Sequence, residues 1–266
     1  DRYYPHPEAV VLPGSTLEVQ KIVKLCNRRG LRVKASSTGY GPHNAVGAAG
    51  TLLLDMRRMN RVLEIDEKNM YAVFEPYVNF AQLQAEAFKR GLSCHVIGAG
   101  SNTSALASCT SVHGTNTQAV SHSWGGRNVL GVEWVLPTGE ILRLGAPGSG
   151  LGWFTGDGPG PSLRGIMRGH AGAQGGLGVF TKCACHLHPW YGPAKFELKG
   201  VSPYYEADVP ENFEYHVYEW PTWEKCAEAL YKIGSSGIAF AVHKTSGPGS
   251  AGPMMVGNNN EYYAKW

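Results

Sequence analysis

The first thirty residues carry apolar side chains at helical spacing, followed by a glycine. The apolar positions lie three and four residues apart: Val19, Ile22, Val23 and Cys26. Just before them, Ser15 and Glu18 have the spacing of a capping box, in which each side chain accepts a hydrogen bond from the backbone at a helix start. Gly30 is a typical helix stop. The pattern predicts a helix over residues 16–29 with one buried face.

Short apolar runs bounded by turn residues predict a series of strands. They lie at residues 31–34, 51–55, 62–65, 71–74, 129–135 and 140–144. Asn79 has the position of a cap for a second helix, which we expect to run to Arg90 and to stop at Gly91. The alternation of a helix with strands in the opening segment indicates an α/β unit.

Residues 96–126 show neither a helical nor a strand period over any length. They are rich in Gly, Ala, Ser, Thr and Asn. A long irregular stretch inside a compact domain is usually functional, so we expect a functional role for this one. Residues 172–181 combine several glycines with a following apolar run, which predicts a tight turn that leads into a strand.

The pattern breaks at residues 189–193, where two prolines enclose Trp, Tyr and Gly, and we place a domain boundary there. Beyond it, alternation predicts a strand at 213–217 and a second strand at 238–242. Between them Thr222 has the position of a helix cap. Because this β-α-β unit would bury only a small core by itself, we expect it to need more chain or a partner to pack against.

The composition excludes several classes of partner. The chain has 266 residues, and its 24 Lys and Arg against 21 Asp and Glu give a net charge of +3, too small and too scattered to indicate a nucleic acid or an anionic membrane. No apolar run reaches the roughly 20 residues of a spanning helix, and residues 1–7 lack the character of a signal peptide. Six dispersed cysteines in apolar segments favour reduced thiols. We therefore expect a soluble, cytoplasmic protein.

A polar, glycine-containing turn, residues 36–44, lies between two predicted strands. Gly39 and Gly41 allow backbone N–H groups to approach an anion without an intervening Cβ, which is typical of a phosphate site. An ordinary connecting loop has a similar composition, so the turn alone leaves both interpretations open. The Rossmann fingerprint is excluded because Pro42 and Gly47 oppose the helix that it requires, and the Walker sequence is absent.

The segment Cys183-Ala184-Cys185-His186-Leu187-His188 places two thiols and two imidazoles close together in sequence. On a strand, alternation puts the two thiols on one face and the two imidazoles on the other, so the four cannot converge on one ion. We therefore expect buried strand residues here and no metal site. A hydrolase is also disfavoured, because no Gly-x-Ser-x-Gly sequence is present to place a serine nucleophile.

Several blocks, in order along the chain, resemble the FAD-binding domain of one flavoprotein family. The blocks are Ser37-Thr38-Gly39-Tyr40-Gly41, Leu53 to Met56, Met59 to Asp66, Val73 to Pro76, Ser104 to Thr115, Asn128 to Glu140 and Gly172 to Thr181. The family is that of vanillyl-alcohol oxidase and p-cresol methylhydroxylase (PCMH), which also includes glycolate and D-lactate dehydrogenases. The resemblance covers residues 8–190.

The resemblance implies an α+β fold with a PCMH-type FAD-binding domain built of two α/β subdomains. This domain would span residues 1–192, with subdomains at about 1–57 and 58–192. Residues 193–266 resemble the start of a ferredoxin-like cap domain, and we expect them to be a partial cap. In the family, substrate-binding groups come largely from the cap.

FAD is the cofactor that the resemblance implies, with non-covalent binding favoured. The residues in the matching loops are Ser37, Thr38, Gly39, Tyr40, Gly41, Pro42, His43, Ser104, Ala107, Ser108, Thr110, Ser111, His113, Gly114, Gly172, Gly175, Gly178 and Val179. Some relatives attach FAD covalently through histidine, so His43 and His113 keep that alternative open. Tyr77 and Leu106-Ala107 replace glycines that are common in the family, so we expect contacts with FAD to differ locally.

The resemblance further implies an FAD-dependent oxidoreductase that acts on a CH–OH group of a small molecule, by hydride transfer to flavin N5. A 2-hydroxy acid is preferred over an aromatic alcohol or phenol because of the plain β-α-β start of the cap. The candidates for assisting the reaction are His113, His170, Arg164 and Arg168, each with an ordinary loop role as the alternative.

Two other functions stay open at this point. An FAD-binding electron-transfer or scaffold subunit would have its catalytic cap on another chain, and a domain of this fold that has lost FAD would be colourless. We expect an oligomer, with a second subunit or an electron-acceptor protein as a further partner.

Overall fold

The computed structural model describes most of the chain, in seven stretches. They are residues 5–39, 45–97, 100–112, 114–154, 165, 176–201 and 204–244. Within them, two large sheets share a packed interior and are followed by a C-terminal region with little buried surface.

A helix and a parallel three-stranded sheet form the first unit. Helix α1 (Thr16–Arg29) has the predicted ends: the Ser15 side chain accepts a hydrogen bond from the backbone N–H of Glu18, and Gly30 adopts the left-handed conformation after the last turn. The strands of the sheet are β1 (Ala9–Val11), β2 (Arg32–Ser36) and β3 (Thr51–Asp55). The apolar pattern does not predict β1, which is three residues long and pairs in parallel with the central strand β3.

An antiparallel five-stranded sheet forms the second unit. The strands that follow β3 are β4 (Val62–Asp66), β5 (Tyr71–Phe74), β6 (Leu92–Ser93), β7 (Val129–Val135), β8 (Ile141–Leu144), β9 (Val179–His186) and β10 (His188–Pro189). The sheet has the order β4-β5-β9-β7-β8, while β6 pairs separately with β10. Helix α2 (Phe80–Phe88) is capped by Asn79, as predicted, and its buried face packs on the sheet.

The larger core lies between the five-stranded sheet and the helices that cover it. It includes Phe74, Phe80 and Leu83, together with Cys183 and Cys185. The placement of both thiols on one buried face of β9 confirms the prediction from strand alternation. In the part of the chain that the structure describes, no three His, Cys, Asp or Glu side chains are arranged to hold a metal ion.

A smaller core joins the two units. Its buried members come from α1, from β3 and the turn after it, and from the facing ends of β7 and β9: Val19, Val23, Leu54, Met56, Met59, Val135 and Val179. Because both units contribute side chains to one cluster, neither can separate from the other without exposing apolar surface to water.

A buried carboxylate, Glu133 on β7, also ties the two units together. The Thr16 hydroxyl at the start of α1 donates to Glu133 Oε1 at 2.6 Å, and Lys182 Nζ lies 2.9 Å from the same oxygen. Arg143 Nε donates to Oε2 at 2.9 Å. Burial by itself would raise the pKa of Glu133, but these hydrogen bonds and charges outweigh it and lower the pKa below its ordinary value.

Three short helices lie in or next to the stretch that was expected to be irregular. They are α3 (Ala105–Thr110), α4 (Ala119–His122) and α5 (Gly125–Asn128). The expectation of irregular backbone is therefore wrong for these residues. Each helix is shorter than two turns, so no periodic pattern of apolar residues can develop in the sequence.

The C-terminal region contains a short hairpin and one helix. The hairpin is formed by β11 (Lys199–Val201) and β12 (Tyr204–Glu206), and helix α6 (Trp223–Ser236) is capped by Thr222, as predicted. The strands predicted at 213–217 and 238–242 are wrong, because neither segment has strand structure. A strand needs a neighbour for its backbone hydrogen bonds, and the described residues supply none at either segment.

The predicted β-α-β start of a cap is not formed. The cap therefore no longer supports the preference for a 2-hydroxy acid. In the described part of the chain, no helix has both the length and the apolar character that crossing a membrane requires. The limits of the domains remain predictions.

Candidate cofactor site

The first and second predicted flavin loops meet in the structure. The backbone N–H of Ser104 donates a hydrogen bond to Thr38 Oγ1 at 3.0 Å. Thr38 follows the end of β2, and Gly39 next to it has a φ of +78°, a left-handed conformation that glycine adopts without strain. Two segments far apart in sequence are therefore joined at the C-terminal end of β2, where the resemblance places the pyrophosphate of FAD.

Ser104 is held from three sides. Its hydroxyl donates to the Pro76 carbonyl at 2.7 Å and accepts from the N–H of Ala107 at 3.1 Å, which caps α3. Its backbone forms an isolated β-bridge with Asn79. The single hydroxyl proton of Ser104 goes to the Pro76 carbonyl, so Ser104 contacts the first loop through its backbone N–H. Pro76 and Asn79 are supporting residues whose part in the site is not evident from the sequence.

The hydroxyl groups of α3 are used inside the helix. Ser108 Oγ donates to the Ser104 carbonyl at 2.8 Å, and Thr110 Oγ1 donates to the Leu106 carbonyl at 2.9 Å. Ser111 Oγ lies 3.2 Å from Thr110 Oγ1. These predicted cofactor residues are therefore brought close to Ser104, but Ser108 and Thr110 are buried and direct their protons to backbone carbonyls.

Gly114 packs against Gly125 at the other end of the second loop. Gly114 has a φ of +43°, and a Cβ there would lie 2.6 Å from the Ser108 carbonyl oxygen. A Cβ on Gly125 would lie 2.5 Å from the same oxygen, and the Gly125 N–H donates to the Gly114 carbonyl at 3.1 Å. Both positions require glycine because two backbone segments lie in contact around Ser108. Gly125 is an addition that the sequence reasoning did not identify.

The glycine block before β9 has a different position. Gly178 has a φ of +111° and packs against the backbone of β7, where a Cβ would overlap the Val135 carbonyl. Val179 is buried in the smaller core that joins the two units. The structure thus places both residues against β7. Their contact with FAD stays a prediction.

Several predicted site residues lie outside the described residues. They are Tyr40, Gly41, Pro42, His43, His113, Arg164, Arg168, His170, Gly172 and Gly175.

Lys34 is the cation nearest in sequence to the first loop. Val33 and Ala35 on the same strand pack into the smaller core, so Lys34 lies on the opposite face of β2. The side chain is partly buried, and burial lowers the pKa of its ammonium group. A partly buried ammonium group gains from a nearby anion, so Lys34 is a candidate to balance phosphate charge.

A cluster of four histidines lies close to the second loop. The ring centroids of His122 and His188 are 4.1 Å apart, and those of His186 and His188 are 4.7 Å apart. His95 is fully buried, with Nε2 3.7 Å from Cys109 Sγ of α3, and a Cβ on Gly125 would lie 3.1 Å from the same nitrogen. The cluster joins positions that are distant in sequence, so no local motif could have revealed it.

Burial makes these imidazoles neutral at physiological pH. Burial, with a smaller contribution from neighbouring imidazoles, lowers the pKa of His95 and of His122 to about 4 and that of His188 to about 3. Burial also lowers the pKa of His186. A neutral cluster can donate and accept hydrogen bonds but carries no charge with which to bind an anion.

The residues at the Thr38–Ser104 junction are compatible with a dinucleotide cofactor. Its side chains are small and polar, none in residues 36–39 or 100–112 is charged, and glycines at both ends allow close approach of backbone. Phosphate oxygens can be bound by backbone N–H groups and hydroxyls without a cation in the loop itself.

The chain is similar to known FAD-binding proteins. A family model described as "FAD binding domain" matches residues 7–145. The chain is 31% identical over 215 residues to the flavoprotein subunit of 4-cresol dehydrogenase (hydroxylating) of Pseudomonas putida, a match to 77% of this chain and 39% of that protein. It is 29% identical over 217 residues to D-lactate dehydrogenase of Anaerostipes hadrus, which covers 79% of this chain and 43% of that protein.

A solved structure shows the same fold. The crystal structure of p-cresol methylhydroxylase with substrate bound has a TM-score of 0.58 at 24% identity, over 71% of this chain and 37% of that chain. This likeness confirms the α+β, PCMH-type fold. The chain spans less than half the length of each of these three proteins.

Proposed function

This chain belongs to the FAD binding domain family, and we propose that it acts in an FAD-dependent oxidoreductase that oxidises a hydroxyl-bearing small molecule. The observation that carries the proposal is the hydrogen bond between Ser104 and Thr38, because it brings together the two loops that the family resemblance assigns to FAD. Both loops lie within the residues that match the family. The family match confirms the resemblance to FAD-binding proteins.

We propose that non-covalent contacts from these loops hold FAD. Thr38 and Gly39 would face the pyrophosphate, the backbone around Ser104 and Ser111 would line the cofactor, and Lys34 would balance charge. Bound FAD supplies the hydride acceptor. The chain's own residues would orient the cofactor: Pro76 and Asn79 fix Ser104, and the contact of Gly114 with Gly125 fixes the far end of the loop.

A 2-hydroxy acid is the first substrate class to test, because relatives named D-lactate dehydrogenase and glycolate oxidase subunit GlcD are both named for 2-hydroxy acids, and an aromatic alcohol or phenol is the second. The relative named D-lactate dehydrogenase supports the first, and the relative named 4-cresol dehydrogenase supports the second. Bound FAD would supply flavin N5 as the acceptor for a hydride from the substrate carbon. His113, His170, Arg164 and Arg168 stay candidates for assisting proton removal, and none of them belongs to the described residues.

One observation favours a second candidate function, an FAD-binding subunit whose catalytic cap is on another chain. None of the residues of α6 is buried, and Trp223 and Tyr231 on it are 70% and 78% exposed. Apolar surface of this kind is stabilised by further protein, from this chain or from a partner. On the same ground we propose an oligomer or a second subunit. We also propose a cytoplasmic location.

Anaerobic reduction of the FAD-loaded protein tests the substrate class. D-lactate should bleach the oxidised-flavin absorbance, whereas 4-cresol should do so more slowly or not at all. Faster bleaching by 4-cresol would reverse the preference. Bleaching by neither compound, from a protein that dithionite still reduces, would favour the second candidate function.

A further inference from the structure

The segment of residues 116–122, between the second loop and α5, concentrates buried polar atoms that lack a partner. Six buried side-chain N or O atoms in the described residues have no hydrogen bond. Four of the six lie in this segment: Asn116 Nδ2, Asn116 Oδ1, Gln118 Oε1 and His122 Nε2. Native proteins leave few such atoms, since each loses its hydration without compensation. Their concentration in seven residues makes the segment a candidate ligand site.

The protonation of His122 follows from its contacts with Ser121. Ser121 Oγ lies 2.7 Å from His122 Nδ1, and its one proton is directed to the backbone carbonyl of Phe240 at 2.5 Å. A carbonyl oxygen can only accept, so the single Ser121 proton is used there and His122 Nδ1 must donate to Ser121. In this neutral ring, Nε2 is then an acceptor without a donor.

The segment is held in place. Asn128 Nδ2 donates to the His122 carbonyl at 2.8 Å, and the His122 ring contacts His188 and Phe240 at centroid distances of 4.1 and 5.0 Å. The Val242 N–H donates to the Thr117 carbonyl at 2.8 Å. The unpaired atoms therefore belong to a fixed frame, and such preorganisation favours ligand binding because little order is lost.

The chemistry of the unpaired atoms defines the ligand. Three of the four are acceptors, and residues 114–126 contain no Asp, Glu, Lys or Arg. Hydroxyl groups supply several donors together with an acceptor, and they bring no charge to a segment that has no charged side chain. The four unpaired atoms are themselves buried, while Asn116 and Gln118 are partly exposed as residues, so the segment extends from the interior to the surface.

We propose that Asn116, Gln118 and His122 form a subsite that binds the hydroxyl groups of a neutral chain. The inference rests on the proposed function for the source of those groups, which are either the sugar-alcohol chain of FAD or the hydroxyls of a substrate. The two sources share one chemistry, and occupancy by FAD distinguishes them.

Ribitol is the probe that tests the subsite, by saturation-transfer difference NMR on the protein before and after loading with FAD. The variants Gln118→Leu and His122→Phe remove the polar atoms at similar volume, and Gln84→Leu on α2 is the matched control. We expect a ribitol signal in the wild type and in the control, about tenfold weaker in the two variants. Without ligand, thermal melts should show Gln118→Leu as stable as the wild type, because the change removes an unpaired oxygen, and His122→Phe slightly less stable, because Ser121 Oγ loses the donor His122 Nδ1.

The outcomes separate the two sources. Loss of the ribitol signal on addition of FAD would assign the subsite to the cofactor, and a signal that persists would assign it to the substrate. Absence of a signal in the wild type, or equal signals in all variants, would overturn the proposal. A protein that binds no FAD would contradict the proposed function, while ribitol binding to the free protein would still decide the subsite.

Discussion

The packed part of the molecule, up to β10, and the C-terminal region, residues 199–244, use the same local signals with different results. Both contain a 14-residue helix that starts at a hydroxyl cap, Ser15 for α1 and Thr222 for α6. Helix α1 buries Val19, Val23 and Cys26, whereas α6 buries none of its residues. A helix can therefore be specified locally, while burial and strand pairing depend on what the rest of the protein supplies.

The carboxylates of the two regions show the same contrast. Glu133 and Glu228 each contact two cationic side chains, Arg143 and Lys182 for the first and Lys225 and Lys232 for the second. Glu133 is buried and joins the two units, but Glu228 lies on the exposed surface of α6. Because Glu133 and Glu228 have similar ion pairs, comparing them shows the effect of burial on stability.

The largest expected effect is the loss of stability in mild acid through the histidine cluster. The pKa values of His95, His122 and His188 lie below the ordinary 6.5, at about 4, 4 and 3. The unfolded chain then binds more protons below pH 6.5, so the free energy of unfolding falls as the pH decreases from 6.5 toward 4. Thermal melts between pH 7.5 and 4.5 should show this decrease.

Single histidine variants locate the source of that decrease. His188→Gln should make the change in melting temperature between these pH values smaller, because one of the buried imidazoles is gone. His216→Gln in the C-terminal region removes an exposed imidazole and should leave the change as it is. A melting temperature that is constant between pH 7.5 and 4.5 would exclude the buried neutral cluster.

The second effect is the removal of the buried carboxylate. Glu133→Ala should lower the free energy of unfolding by about 3 kcal/mol, because Thr16, Arg143 and Lys182 lose their common partner between the two units. Glu228→Ala on α6 should cause no measurable change, since exposed ion pairs contribute little. Urea denaturation measures both. Equal losses of unfolding free energy in the two variants would show that burial does not distinguish Glu133 from Glu228.

A smaller effect is expected at the junction of the two loops. Thr38→Val removes the acceptor for the Ser104 N–H, so the affinity for FAD should fall about tenfold, the equivalent of one hydrogen bond. Thr138→Val, which removes a hydroxyl at the β7–β8 turn, is the matched control and should bind FAD as the wild type does. Fluorescence titration with FAD measures the dissociation constants. A Thr38 variant with unchanged affinity would place the pyrophosphate elsewhere.

The smallest effect compares the two helix caps. Ser15→Ala should lower the free energy of unfolding by about 1 kcal/mol, because α1 unfolds only with the whole packed part. Thr222→Ala should reduce the helical circular dichroism signal slightly and leave the main unfolding transition unchanged. Loss of global stability on the Thr222 change would mean that α6 is coupled to the packed part.

Local patterns predicted the three longer helices, α1, α2 and α6, and most strands, and they did so for physical reasons. Helix α1 satisfies its own backbone and is marked at both ends by Ser15 and Gly30, so its sequence is sufficient to place it. Alternation also placed Cys183 and Cys185 on one face. Alternation at 213–217 gave no strand, because a period of two cannot show whether a neighbouring strand is present.

The site could be predicted only as far as its sequence blocks extend. The resemblance drew attention to Thr38 and Ser104, but their hydrogen bond depends on the tertiary fold. The support from Pro76 and the contact of Gly114 with Gly125 are likewise long-range or backbone contacts. No spacing rule in a sequence describes such contacts, and the histidine cluster was missed for the same reason.

Addition of FAD to the purified protein, followed by its visible spectrum before and after acid precipitation, tests the central claim most directly. We expect oxidised-flavin absorption that remains with the protein through gel filtration and passes into the supernatant on acid precipitation. Flavin that stays with the pellet would contradict non-covalent binding. A protein that remains colourless after incubation with FAD would contradict the assignment of the Thr38–Ser104 junction as a cofactor site.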